Sequence, residues 1–203
     1  MNASFEYIKK YAALLAGQEY SPGAAAMLFL ETDEGVYGTK NGADLANLTE
    51  NDIERMPLET LPKGRRGIRA AVVSQTPACQ KWLRRGEALI PSLDDMAQII
   101  GTRAAVIDGR EDPKKMTLKL AYALQTNAAC FVITGRDENG DFRGYTLTVG
   151  RTLYEAIVAM TVLEKSAEVT LLTEKLGGAC NIAAWERKLM RVVYMKKIGR
   201  SHV

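Results

Sequence analysis

Between Val149 and Gly178 the chain reads VGRTLYEAIVAMTVLEKSAEVTLLTEKLGG, and this stretch joins the end of a strand to a long helix. Tyr145 to Val149 is a short apolar run of the kind a buried strand needs. Leu153, Ala156, Met160, Leu163, Ala167 and Leu171 then recur at helical spacing, which predicts a helix from about Thr152 to Leu176. Gly177-Gly178 supplies the stop, because glycine takes the left-handed backbone that ends helices without a Cβ clash. On the C-terminal side Asn181 can cap a final amphipathic helix carrying Ile182, Trp185, Leu189 and Val192.

Towards the N-terminus, Asp137-Glu138-Asn139-Gly140-Asp141 is a hairpin signal that pairs Tyr145–Val149 with a strand over Ala129–Thr134. Asp112-Pro113 caps a helix carrying Leu118, Leu120, Ala121 and Leu124, and Ala104 to Ile107 is a strand before it. Ser92 with Asp95 reads as a capping box for a helix through Met96, Ile99 and Ile100 that Gly101 closes. Ala70 to Val73 is a buried strand that leads into Thr76, an N-cap, and Pro77, the first residue of a helix through Trp82 and Leu83. Thr49 with Asp52 predicts a short helix ended by Pro57, and Leu58 to Gly67 is polar and irregular. A hairpin over AAAMLFLET and GVYGT turns at Asp33-Glu34-Gly35, after a turn at Ser21-Pro22-Gly23. The first helix sets Phe5, Ile8, Tyr11, Ala12 and Leu15 on one face, opens after Ser4 and takes a left-handed stop at Gly17. The expectation is one domain over residues 1–203, of the layered α/β class, with a central, mostly antiparallel sheet flanked by helices.

Composition narrows the function classes. Of 203 residues, 47% are hydrophobic and 25% charged, which is ordinary for a globular protein and leaves no room for a disordered or fibrous reading. No apolar run approaches the roughly 18 residues a membrane span needs, and Glu6, Lys9 and Lys10 break up the first apolar segment, so neither a span nor a signal peptide is expected. Three scattered cysteines, Cys79, Cys130 and Cys180, give neither a disulfide framework nor a zinc ribbon and fit a reducing cytoplasm. The net charge is +3, with Arg187, Lys188, Arg191, Lys196, Lys197 and Arg200 gathered in the last helix. With no aromatic platform beside them, these cations read as a solvated face near a helix C-terminus, and nucleic acid is not an expected partner.

Four segments in order resemble the class II aldolase/adducin family: Thr39 to Met56, the strand leading into Ser74-Gln75-Thr76-Pro77, DDMAQIIGTRAAVID from Asp94 to Asp108, and Val149 to Gly178. The resemblance implies the fold of the fuculose- and ribulose-phosphate aldolases. It also implies a site that, in active members, holds zinc on three histidines, two of them in a His-x-His-Pro arrangement at a strand end. Residues two apart on a strand project to one face and can grip one ion.

This chain departs from that pattern. Its only histidine is His202, and Ser74 and Thr76 stand at the two strand positions. The third histidine position falls near Thr134-Gly135-Arg136, the family's Gly-Asn loop becomes Gly23-Ala24-Ala25, and the segment bearing the catalytic glutamate and phosphate-binding serines is shortened to LETLPKGRRG around Glu59. The expectation is therefore a divergent member that binds no metal and no cofactor, a non-catalytic binding or scaffold protein. The alternative is a metal-independent lyase, isomerase or epimerase acting on a small sugar phosphate.

Candidate residues follow from the same frame. Ser74, Gln75, Thr76, Gly135 and Arg136 mark the degenerate metal site, although Ser74 lacks a base to activate it and Thr76 is more simply an N-cap. Lys63, Arg65 and Arg66, set among Gly64 and Gly67, are candidates for holding an anion, as an ordinary solvated loop would also look. Arg136 beside Asp137 and Glu138 reads as part of a turn, Glu164 beside Lys165 as surface, and Cys79 as a small buried hydrophobe. The resemblance implies a homo-oligomer, with a tetramer favoured, and a small anionic metabolite as a possible partner.

Overall fold

The structure is a computed structural model and describes residues 3–18 and 26–200. His202, the Ser21-Pro22-Gly23 turn and the Gly23-Ala24-Ala25 loop lie outside the described residues. In chain order the elements are α1 (Ala3–Ala16), β1 (Met27–Thr32), β2 (Gly35–Thr39), β3 (Ile53–Met56), β4 (Ala70–Ser74), α2 (Pro77–Leu83), β5 (Ala105–Asp108), α3 (Pro113–Ala123), β6 (Ala129–Arg136), β7 (Phe142–Gly150), α4 (Leu153–Glu174) and α5 (Ala184–Arg200). The strands form one seven-stranded sheet in the order β3-β2-β1-β4-β7-β6-β5. Every pairing is antiparallel except β5 with β6, which are joined by the helical crossover that parallel neighbours require.

Strand alternation sorts the core onto two faces. Val72 of β4 and Leu28 and Leu30 of β1 meet Ile8, Ala12 and Leu15 of α1 and Leu153, Ile157 and Met160 of α4. Phe131 of β6 lies on the same side, packed with Trp82 and Leu83 of α2 and Leu163 and Ala167 of α4. The intervening residues Ala71, Cys130, Val132, Leu147 and Val149 turn to the opposite face, where Leu120 and Met116 of α3 partly cover them. Each fully buried leucine or isoleucine on α4 contributes about 1.5–3 kcal/mol. The helix that the sequence marks most clearly is thus also the one that holds the first face together.

Four local expectations change. The Thr49–Asp52 capping box forms, with Thr49 N donating to Asp52 Oδ2 at 2.8 Å, yet it caps a single 3-10 turn (Glu50–Asp52) and not a helix. Ile53–Met56 continues as the edge strand β3, its alternation satisfied by pairing with β2. Ser92 does not cap the turn at Met96–Ile100; its Oγ is buried without a hydrogen-bond partner among the described residues, and the turn is a five-residue π-helical one. Gly17 follows the last residue of α1 but does not adopt positive φ, whereas Gly177 and Gly178, at φ 102° and 95°, close α4 as expected.

The fourth change concerns α5, which starts at Ala184, so that Asn181 does not cap it and Ile182 precedes it, and which is turned the other way round. Trp185, Leu189, Val192 and Val193 are exposed, while Arg191, read from the sequence as solvated, is 5% exposed. The reason is hydrogen bonding: Arg191 Nε donates to Thr126 O at 2.9 Å, and its Nη1 donates to Gln98 O at 2.8 Å and Ile99 O at 2.7 Å. A guanidinium presents five donors in a fixed fork, and here that fork closes the ends of two backbone segments.

Candidate functional site

β4 ends at Ser74, and period-two geometry puts Ser74 and Thr76 on the same face, as the sequence predicts. That face is closed. Ser74 Oγ lies 2.7 Å from Thr146 Oγ1 on β7, Thr146 Oγ1 also lies 3.1 Å from Ser74 O, and both residues are fully buried. Gln75 points to the exposed side, where its Nε2 donates to Gly144 O at 3.1 Å; Gln80 Nε2 from α2 reaches the same carbonyl at 3.2 Å.

Thr76 occupies the N-cap position of α2, but its hydroxyl makes no capping hydrogen bond. Its Oγ1 is buried and has no hydrogen-bond partner among the described residues. The orphan amides of the first turn go instead to Glu164 of α4: Ala78 N donates to Oε1 at 2.7 Å and Cys79 N to Oε2 at 2.8 Å. Glu164 is 2% exposed, which corrects its reading as a surface residue. A carboxylate at a helix N-terminus meets both the free N–H groups and the positive end of the helix dipole, so a buried glutamate is tolerated here with no cationic partner among the described residues. No signal within a few residues of Glu164 announces this, since its partners lie 85 and 86 residues away.

On β6 the register shifts between Ile133 and Gly135, and Thr134 is left exposed at the irregularity. Gly135 has open space around it. Arg136 serves the hairpin, its Nη1 donating to Gly140 O and its guanidinium lying 3.9 Å from the centre of the Phe142 ring. On β7, Phe142 opposite Arg136 lies four residues from Thr146 opposite Ser74, a separation of about 13 Å along the strand. Ser74 and Arg136 are therefore not brought together.

The basic loop before β4 is divided. Lys63 faces a cavity of about 480 Å³ on the α3 side of the sheet, floored by Met27, Phe29, Val73 and Leu147 and edged by Glu59 and Tyr145. Burial pushes the Tyr145 phenol up. Arg65 turns the other way, its N donating to Leu124 O at 3.2 Å and its Nη1 to Asn127 O at 3.0 Å, and Arg66 is exposed beside it. The three cations read as one cradle thus serve two separate places, neither of them at Ser74 and Thr76.

The residues at the degenerate site do not fit the zinc ion that the resemblance implies. Ser74 is occupied by Thr146, both Glu164 oxygens accept backbone hydrogen bonds, and no group of three His, Cys, Asp or Glu among the described residues could hold a metal. Cys79 does not rescue the site: burial and then the Glu164 carboxylate push its thiol well above the ordinary range. Burial likewise raises Cys130 to about 12. With Cys180 exposed, native protein is expected to react with a thiol reagent at Cys180 alone and denatured protein at all three cysteines, which supports the reading of Cys79 as a buried hydrophobe. Rapid native labelling of Cys79, read by peptide mass, would contradict the sealed face.

No protein-family model matches the sequence, and no curated protein is significantly similar to it. Solved structures are. An L-fuculose 1-phosphate aldolase superposes with a TM-score of 0.77 at 17% identity, over 96% of this chain and 98% of that one. The fold is that of the class II aldolases. The L-fuculose-1-phosphate aldolase from Thermus thermophilus has a TM-score of 0.66 at 21% identity, covering 88% of this chain and 98% of its own. An aldolase II superfamily protein from Pseudomonas syringae has a TM-score of 0.61 at 13% identity, covering 100% and 95%. The class II aldolase fold therefore extends over essentially the whole chain, at identities too low to carry activity with it.

Proposed function

We propose that this chain uses the class II aldolase fold without zinc aldolase chemistry and acts as a binding or scaffold protein in a homo-oligomer. The observation that carries the reading is the sealed pair: the two strand positions assigned to zinc histidines hold Ser74, paired with Thr146, and Thr76, buried against a helix start that Glu164 already caps. Purified protein is expected to contain far less than one zinc per chain after dialysis and to leave L-fuculose 1-phosphate uncleaved. Stoichiometric zinc together with aldol cleavage would overturn the reading.

Association is supported by the outward apolar stripe of α5, Trp185, Leu189, Val192 and Val193, since a row of this kind on a helix is a common mark of an interface. A tetramer is the assembly that the resemblance favours, and light scattering coupled to size exclusion measures it directly. Among the described residues no helix is long and apolar enough to cross a membrane. The buried, unpaired Cys79 and Cys130 are consistent with a cytoplasmic setting.

A second reading, a metal-independent lyase, isomerase or epimerase on a small sugar phosphate, draws support from the cavity at Lys63. An apolar floor with an ammonium, a carboxyl and a phenol converging on its edge is suited to a small anionic metabolite, and Lys63, Glu59 and Tyr145 are groups that can move protons. A thermal-shift screen of sugar phosphates separates the two readings. Stabilisation by one compound, lost in Lys63→Ala, followed by turnover of that compound, favours the enzyme; stabilisation without turnover favours the binding protein.

A further inference from the structure

At the opposite end of β4 from Ser74, three guanidinium groups converge. Arg65 arrives from the loop before β4, Arg151 from the residue after β7, and Arg191 from the buried side of α5; with Tyr194 and Glu155 they line a small cavity of about 30 Å³, at whose edge Arg66 also lies. Glu155 is the one carboxylate among the described residues that lines the cavity, and it holds Arg151: its Oε1 receives Arg151 Nε at 3.0 Å and Arg151 Nη2 at 2.7 Å. Among the described residues Arg65 and Arg191 donate to carbonyl oxygens, which carry no charge to offset theirs.

Arg191 makes the point sharpest. It is 5% exposed, its Nε and Nη1 are used on three carbonyls, and its Nη2 is buried with no hydrogen-bond partner among the described residues. Burial first, and then the neighbouring Arg65, lower its pKa to about 10. Burial also lowers Arg65, outweighing the Glu155 carboxylate that pulls it up, and Arg151 lowers it further. Like charges held together out of water are costly unless an anion answers them. Planar guanidinium forks are also the donors that match the oxygens of phosphate and carboxylate.

We propose that Arg65 and Arg191, with Tyr194 and the Glu155-paired Arg151 beside them, form a binding site for one small oxyanion, a phosphate group either free or as the end of a phosphorylated metabolite. The size sets the class. A cavity holds a water at about 10–15 Å³ and a drug-sized ligand at about 300 Å³ or more, so this one admits a single small group and leaves any larger part of a ligand outside, past exposed Arg66. The site does not depend on the aldolase-site positions, on Lys63 or on the function proposed above; it stands whether or not the chain is an enzyme.

The experiment is calorimetric titration of the full chain with inorganic phosphate at constant ionic strength, balanced with sodium chloride. Saturable binding at one phosphate per chain is expected, weakened about tenfold or more in Arg65→Gln, the worth of one charge-assisted hydrogen bond. Arg191→Gln is expected to weaken it as much, with circular dichroism verifying that the helices remain. Arg110→Ala, which removes a positive charge at an exposed ion pair with Asp108, leaves it unchanged. Glycerol 3-phosphate, with glycerol as its uncharged control, distinguishes the sources: competition by the ester identifies a phosphorylated metabolite, and binding of inorganic phosphate alone identifies the free anion. Absence of saturable binding, or equal affinity in wild type and folded Arg65→Gln, overturns the proposal and leaves the reading of the Lys63 cavity untouched.

Discussion

Replacing Glu164 with alanine is expected to destabilise the fold by about 3–5 kcal/mol, because the two amides of Ala78 and Cys79 lose both of their acceptors inside a closed core. Each buried donor left unsatisfied costs about 1–3 kcal/mol, and the truncated side chain adds a cavity between α2 and α4. Urea denaturation measures it: with an m value of about 2 kcal/mol/M, the midpoint falls by about 2 M. Glu164→Gln keeps one carbonyl oxygen but turns an amide N–H toward a backbone N–H, so its cost lies between those of alanine and wild type. Thr76→Val is the contrasting case. The threonine hydroxyl has no hydrogen-bond partner among the described residues, so an apolar group of the same shape is expected to be neutral or to stabilise by up to about 1 kcal/mol. A Glu164→Ala midpoint within about 0.5 M of wild type, on the scale set by the same m value, would remove the capping role.

The contrast between Thr76 and Glu164 also shows where the sequence could be read and where it could not. Thr76-Pro77 correctly marks the start of α2, because a proline at the first helical position is a local signal. Which side chain satisfies the amides behind that start is decided by α4, which the chain reaches only after β5, α3, β6 and β7. The same division runs through the rest of the fold. Asp112, accepting from Lys114 N at 3.0 Å and Lys115 N at 3.3 Å, the β1–β2 and β6–β7 hairpins, and the stripe of α4 are set by neighbours in sequence, and all are legible there. β3 is not, because its capping box is real but closes one turn only, and a four-residue edge strand has too few alternations to compete with that signal.

The site divides in the same way. That Ser74 and Thr76 share a face follows from strand period alone; that Thr146 seals it depends on β4 pairing with β7 in a register placing Ser74 opposite Thr146. The orientation of α5 runs against its sequence pattern for a physical reason. Apolar periodicity predicts the buried face when hydrophobic burial dominates, but here the carbonyls of Gln98, Ile99 and Thr126 need donors, and Arg191 supplies them. No pattern within α5 encodes a demand made by backbone 65 to 93 residues away.

Gly144→Ala is expected to be at least as damaging as Glu164→Ala, at about 4 kcal/mol or more, and its mechanism is steric. A Cβ on Gly144 would lie 1.8 Å from Val132 O and 2.9 Å from Val132 C, both backbone atoms of the adjacent strand that cannot swing aside like the end of a flexible side chain. Relief requires β6 and β7 to separate where Ile133 pairs with Gly144, which also pulls the Gly144 carbonyl away from Gln75 and Gln80. Damage is therefore expected to spread into the segment that joins β4 to α2, visible as faster amide exchange at residues 75–80 as well as in β6 and β7. Gly135, on the other side of the same irregularity, behaves oppositely. A Cβ there meets nothing within 4 Å and its φ is not positive, so Gly135→Ala restricts only the unfolded chain and is expected to stabilise by about 0.4–1 kcal/mol. Two glycine-to-alanine changes at one bulge thus carry opposite signs. If thermal unfolding instead gave both variants the same small shift, the close approach of β6 to β7 at Gly144 would have to be abandoned, and with it the bulge that leaves Thr134 exposed.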